Sequence, residues 1–287
     1  METIKLIAMD MDGTLLLDGG KGIPPGNVEA LHAAHAAGIQ LVLCSGRIPD
    51  DMGFYALDTG VPMHILALNG TCTLDTPLGV ITNSAHIPVQ AARDILHMLQ
   101  EYPVAYGIFC DHDLLISIHL SDEQLKVIFG ANVLREGGRT RITYRIEEAD
   151  ALIRQGVSKF MVFTDNDPEP LLQVRSRIEA EIPGVDVCSS WFNNLEINPS
   201  GASKGVALTA LARRLGIPMS QVMAIGDNDN DLPMLEAAGV AVAMGNASPH
   251  AIAASDYLTL PNHECGVAAA IRAIALGESI PDVRRLP

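Results

Sequence analysis

The chain has 287 residues, is 48% hydrophobic and carries a formal net charge of −15, enough apolar material for one large core or two smaller ones without crosslinks. So acidic a composition excludes a broad nucleic-acid-binding face and attraction to an anionic membrane surface, while leaving room for a local basic pocket. Five scattered cysteines, Cys44, Cys72, Cys110, Cys188 and Cys265, show no Cys-x-x-Cys spacing and read as small buried hydrophobes in a reducing compartment.

In chain order, the apolar run Leu6 to Met9 ends in Asp10-Met11-Asp12-Gly13-Thr14. Side chains alternate along extended backbone, so the two acids share one crevice only if the chain turns at Met11; an acid-rich turn after a buried strand is the plainer alternative. A helix is expected from about Pro25 to Ala37 with Gly38 as its stop, then a strand Ile39 to Cys44 leaving through Ser45-Gly46-Arg47. Val61 to Asn69 repeats the theme and ends in the turn signal Asn69-Gly70. Strand and helix in alternation predict an α/β parallel sheet with right-handed crossovers.

From about Ser84 to Asn193 the texture changes. Val104 to Phe109 and Leu114 to Ile118 flank a tight Asp111-His112-Asp113 turn, a hairpin pattern. Pro88 to Glu101 and Glu169 to Ile182 read as amphipathic helices, and Val157 to Thr164 and Val185 to Trp191 as strands. The simplest account is a Rossmann-like parallel-sheet core formed by residues 1–83 and 194–287, with an inserted α+β unit at 84–193. After the insertion a helix is expected from Ser203 to Leu215, then the strand Val222 to Ile225 running into Gly226-Asp227-Asn228-Asp229-Asn230-Asp231. The remainder alternates again: a helix near Leu232 to Ala238, a strand Val240 to Met244, a helix from Pro249, a short strand Tyr257 to Leu260 and a closing helix Val267 to Leu276, with Ile280 to Pro287 expected to be loose.

Three of these strands end in polar clusters: Asp10 with Asp12, then Ser45, then Asp227 with Asn230 and Asp231. In an open parallel sheet such ends border the crevice where ligands bind. Lys204 stands at the start of a helix, where ammonium and helix N-terminus both favour an anion. Carboxylates crowded into one crevice repel by about 4 kcal/mol per pair at ~4 Å and an effective dielectric of about 20, so the cluster calls for a cation. Oxygen donors without clustered His or Cys suit Mg²⁺ and not zinc.

The segments Asp10-x-Asp12-Gly13-Thr14, Ser45-Gly46-Arg47, Lys204-Gly205 and Gly226-Asp227-x-x-Asn230-Asp231, in this order, resemble the motifs of the haloacid dehalogenase superfamily. More narrowly the chain resembles the Cof-type phosphatases, whose large α/β cap (type IIB) is inserted between the second and third motifs; Asn69-Gly70, Glu196-Ile197 and Glu264-x-Gly266-Val267 extend the likeness over nearly the whole chain. The resemblance implies a Mg²⁺-dependent phosphatase of small phosphorylated metabolites, sugar phosphates or similar monoesters. It makes Asp10 the nucleophile that becomes an aspartyl phosphate and Asp12 the acid and base, with Asp12 also a metal ligand through its backbone carbonyl. It further implies that Ser45, Gly46, Lys204 and Asn230 hold phosphoryl oxygens, that Asp10, Asp12 and Asp227 hold Mg²⁺, and that Asp231 orients Lys204 or a metal-bound water. Thr14 is expected either to close the turn after Gly13 or to act directly. Alternative readings are a phosphomutase using the same aspartyl phosphate and a non-catalytic protein that binds a phosphorylated metabolite.

Other features carry less. His32 and His35 have helical i, i+3 spacing but no acidic or Cys partner nearby, and read as a helix face. Arg135, Arg139, Arg141 and Arg145, interleaved with Glu136, Glu147 and Glu148, read as charged surface. Trp191-Phe192 is expected to pack at the hinge. Neither a signal-like leader nor a run of spanning length is present, so a cytoplasmic protein is expected, with no nucleic-acid or membrane partner; a homo-oligomer is one open outcome.

Overall fold

In the computed structural model, residues 2–19, 21–165, 167–189 and 193–286 are described; Trp191 and Phe192 lie outside them. The first sheet contains β1 (Leu6–Met9), β2 (Gln40–Cys44), β3 (His64–Ala67), β4 (Cys72–Leu74) and β5 (Ile81–Ser84). The second contains β6 (Ala105–Cys110), β7 (Asp113–Ile116), β8 (Arg141–Thr143), β9 (Lys159–Phe163), β10 (Val185–Cys188) and β11 (Asn194–Pro199). The chain then returns to the first sheet with β12 (Val222–Gly226), β13 (Val240–Ala243), β14 (Tyr257–Leu258) and β15 (Arg284–Arg285).

The first sheet runs in the order β15-β14-β13-β12-β1-β2-β3-β4-β5. Its six central strands, from β14 to β3, are parallel, and β4, β5 and β15 add antiparallel edges. Leu6, Ile7, Ala8 and Met9 are fully buried, as a strand covered on both faces must be. From β1 the chain winds outward through β2 to β3, and after the second sheet it starts again on the other side of β1 through β12 to β14. The winding therefore reverses at β1, and a crevice opens beyond the carboxyl ends of β2, β1 and β12.

The second sheet, in the order β10-β11-β9-β6-β7-β8, is antiparallel apart from the β7–β8 pair. Strand β11 departs from the sequence expectation. It begins at Asn194, where the parallel pattern was expected to resume, yet it pairs antiparallel with β9 and β10. Its Leu195 and Ile197 are buried with the second sheet's own core, and apolar alternation alone does not say which sheet receives such a strand. The tail also differs from expectation, because Arg284 and Arg285 pair with Leu258 and Tyr257 at the sheet edge.

The two sheets share contacts on both sides. Phe109, Leu114, Phe129 and Met161 of the inserted segment pack in one cluster with Met11, Ile48, Met52 and Tyr55. Two buried aspartates in the first turn of the helix Pro49–Thr59 reach across. Asp51 accepts the Asn132 N–H at 2.7 Å, and Asp50 accepts the Thr140 N–H at 2.5 Å and its hydroxyl at 2.8 Å.

The helix Lys204–Arg214 is capped by the Ser203 hydroxyl, which accepts from the Val206 N–H at 3.2 Å. It lies so close to the next helical turn that a Cβ on Gly205 would sit 1.9 Å from the Pro233 carbonyl oxygen. Helix propensity alone makes Gly→Ala stabilising by about 0.5–1 kcal/mol. Here the backbone contact reverses the sign: Gly205→Ala should destabilise by about 1–3 kcal/mol, read as a lower urea midpoint, whereas a raised midpoint would mean that the two segments part easily.

Candidate active site

Asp10 directly follows the first strand in extended conformation, with its N–H bound to the Ile225 carbonyl at 3.0 Å and its side chain buried. The chain then makes one wide turn, Met11–Leu15, in which Gly13 adopts φ +78°. A Cβ on Gly13 would lie 2.3 Å from Asp227 Oδ2, so glycine serves both the left-handed backbone and the approach of the neighbouring carboxylate. The Asn246 amide donates to the Gly13 carbonyl at 2.8 Å and secures the turn. The sequence contained no signal for this contact, because Asn246 lies far away in the chain.

Lys204 is buried between two carboxylates, donating to Asp10 Oδ1 at 2.5 Å and Asp231 Oδ1 at 2.6 Å. The other oxygen of Asp231 accepts the N–H groups of Asp227 and Asn228 at 2.9 and 3.0 Å. Thr14 donates its hydroxyl to Asp227 Oδ1 at 2.7 Å. Asp10, Asp227 and Asp231 each bring a carboxylate oxygen within 4.8 Å of the others. Three carboxylates against one ammonium leave the cluster short of positive charge.

The local electrostatics agree. Burial, with Asp231 and Asp227 nearby, pushes the Asp10 carboxyl well above its ordinary range despite the Lys204 ammonium. Burial and the Asp231 charge bring Asp227 up to about 7, against the Thr14 hydrogen bond. Burial opposes the charge on Lys204, but Asp10 and Asp231 outweigh it and hold the ammonium firmly protonated.

Asp12 stands apart from this cluster. Its side chain is 57% exposed and accepts from Nε and Nη2 of the Arg47 guanidinium, at 2.7 Å each. Arg47 also pairs with the buried Asp51, the residue that holds Asn132 of the inserted segment. Two carboxylates thus fix one planar cation. The Ser45-Gly46-Arg47 motif was visible in the sequence, but not that its arginine bridges Asp12 and Asp51. Ser45 is buried, with its Oγ accepting the Arg47 N–H at 3.4 Å. Asn230 is half-buried on the turn between Asp227 and Asp231.

Candidates set aside in the sequence have ordinary partners. His32 contacts the Thr59 carbonyl at 2.9 Å. Arg135 pairs with Asp58, Arg141 with Asp113, and Arg145 with Glu147 and Glu148. Cys44, Cys72 and Cys110 are buried free thiols. No helix among the described residues is long and apolar enough to cross a membrane.

The family model described as haloacid dehalogenase-like hydrolase matches residues 7–271. The pyridoxal phosphate phosphatase YbhA of Escherichia coli (strain K12) is 33% identical over 248 residues, 85% of this chain and 89% of its own length. The putative phosphatase YxeH of Bacillus subtilis (strain 168) is 32% identical over 279 residues, 96% of this chain and 99% of its own. A solved haloacid dehalogenase-like hydrolase from Bacteroides thetaiotaomicron superposes with a TM-score of 0.80 at 28% identity, covering 94% of this chain and 99% of that one. With one family model spanning most of the chain and phosphatases matching it nearly end to end, the chain belongs to the haloacid dehalogenase-like hydrolases, among the Cof-type phosphatases.

Proposed function

We propose that the chain is a cytoplasmic Mg²⁺-dependent phosphomonoesterase that works through an aspartyl phosphate on Asp10, with sugar phosphates or similar monoesters as substrates. The observation that carries this reading is the buried Asp10–Lys204–Asp231 chain beside Asp227, placed where the winding of the sheet reverses. The donor set fits Mg²⁺: the clustered side chains are hard oxygen donors, and burial together with the neighbouring carboxylates raises Asp10 and Asp227. Asp10, the Asp12 carbonyl and Asp227 would hold the ion, and its charge, when bound, offsets that of the phosphate dianion.

In this mechanism an Asp10 oxygen attacks phosphorus and the P–O bond to the leaving alcohol breaks. Asp12 supplies the proton that the alcohol takes up. Water then attacks the aspartyl phosphate and gives a proton back to Asp12, releasing phosphate and restoring the Asp10 carboxylate. Arg47 orients Asp12 through its two hydrogen bonds. Ser45, the Gly46 N–H, Lys204 and the Asn230 amide hold the phosphoryl oxygens. Asp231 orients Lys204, and Thr14 orients Asp227. Residues 84–193, together with the strand Asn194–Pro199 that pairs into their sheet, form a cap over the core made by the rest of the chain. Closure of the cap shields the reaction from bulk water.

Asp10→Asn should lower phosphate release from a phosphomonoester panel by roughly three orders of magnitude or more, and chelation of Mg²⁺ should do the same to the wild type. Full turnover in the mutant would remove Asp10 as nucleophile.

A second expectation concerns pH. Asp227, raised from 3.8 to about 7, keeps in the folded state a proton that the unfolded chain has lost, so its contribution to metal-free stability falls as pH rises through that window. As a Mg²⁺ ligand Asp227 would have to be deprotonated, so the Mg²⁺-induced rise in Tm should be larger at about pH 8 than at about pH 5.5. Asp227→Asn should flatten that dependence; an equal Mg²⁺ shift at both pH values would contradict the ligand assignment.

A further inference from the structure

Among the described residues, two lysines are buried: Lys204 and Lys159. Lys159 opens strand β9 of the second sheet, and the mechanism above does not use it. Its ammonium donates to the Gly46 carbonyl, in the loop after β2 of the first sheet, at 3.1 Å and pairs with Glu196 at 2.9 Å. Glu196 in turn accepts from the Asn69 amide at 2.5 Å. A buried ion pair contributes little net stability, since desolvation cancels most of the attraction. What this one does supply is alignment.

Three successive carbonyls after β2 are each held. The Asn69 N–H binds the Ser45 carbonyl at 2.9 Å, Lys159 binds that of Gly46, and the Leu68 N–H binds that of Arg47 at 3.0 Å. Leu68 and Asn69 reach these positions with φ of 50° and 58°, a left-handed backbone that the surrounding contacts must enforce. In a trans peptide the C=O and N–H of one plane point in opposite directions. Holding the Ser45 carbonyl therefore aims the Gly46 N–H, and holding the Gly46 carbonyl aims the Arg47 N–H. That second N–H donates to Ser45 Oγ, which leaves the serine O–H to donate elsewhere. A side chain at position 46 would intrude here, with its Cβ 3.0 Å from Asn69 Oδ1 and 3.4 Å from Glu196 Oε2.

We propose that Lys159, with Glu196 as its counter-ion, is a positioning residue for phosphoryl binding: by holding the Gly46 carbonyl from the second sheet it aims the Arg47 N–H at Ser45 Oγ and so turns the Ser45 hydroxyl toward the incoming phosphate. This rests on the reading of Ser45 and Gly46 as phosphoryl ligands. It makes the anion site complete only while the second sheet is seated on the first.

The test uses the full chain with Mg²⁺ and p-nitrophenyl phosphate as probe, with inorganic phosphate as competitive inhibitor. Lys159→Met keeps the length of the side chain and removes the donor. The double variant Lys159→Met/Glu196→Gln also removes the negative charge that would otherwise stay buried without its lysine, and serves as the reading if the single variant folds poorly. In a folded variant, KM and the phosphate inhibition constant should rise together by roughly tenfold or more, the scale of one charge-assisted hydrogen bond. Lys159→Arg, which retains a cationic donor, should recover part of that loss. A folded variant with wild-type KM and wild-type phosphate inhibition would overturn the proposal while leaving an inactive Asp10→Asn to support the phosphatase mechanism; an active Asp10→Asn would instead remove the mechanism itself.

Discussion

The constraint on which the rest depends is a buried ammonium held between two carboxylates. Lys204 belongs to a helix that follows the second sheet, Asp10 to the first strand and Asp231 to the turn after β12. Removing Lys204 would leave two buried carboxylates without their shared cation, which costs far more than the intact arrangement contributes. Much of the local architecture follows from seating that lysine: the glycine at 205 that lets its helix lie on Pro233, the serine cap at 203, and the Asp231 oxygen that collects the Asp227 and Asn228 N–H groups. The same arrangement keeps Asp10 dry and short of cationic partners, the condition in which a carboxylate can meet a metal ion and a phosphate together.

Around that centre the two sheets are joined by polar contacts, several of which converge on the segment after β2. Asp50 and Asp51 hold the backbone at Thr140 and Asn132, Arg47 joins Asp51 to Asp12, and Lys159 reaches back to Gly46. Apolar packing of Phe109 and Met161 against Met11 and Met52 brings the surfaces together without fixing their register. The directional bonds fix it, and they do so beside the residues expected to bind phosphate. Burying Asp50, Asp51 and Lys159 has a stability cost, and the precision of placement they provide is the physical reason for tolerating it.

Much of the first sheet was legible because its strands are short apolar runs that stop at glycine or polar residues. The expected strand Ile39 to Cys44 is observed as Gln40–Cys44, and the expected helix Ser203 to Leu215 as Lys204–Arg214. The hairpin around Asp111-His112-Asp113 was equally legible, since turn residues sit between two apolar runs. The assignment of Asn194–Pro199 to the first sheet failed because its alternation suits either sheet, and the pairing of Arg284 and Arg285 was missed because two charged residues at an edge carry no apolar signal. The expected packing of Trp191-Phe192 falls outside the described residues.

By itself the sequence determined the chemistry on offer. It showed carboxylates, a serine and a lysine at the ends of elements whose apolar pattern makes them strands and helices of a parallel sheet, because local composition and spacing govern local conformation. Only the tertiary structure decided which of these groups meet. Thr14 and Asp227 are 213 residues apart in the chain and 2.7 Å apart in space. Arg47 could have faced a substrate phosphate and instead holds Asp12 and Asp51, while Lys159, one charged residue in an apolar strand, became the link between the sheets. Apart from the pair Arg47–Asp51, four residues apart, such pairings are set by the winding of the sheet and the docking of two surfaces, and no short window of sequence contains both partners.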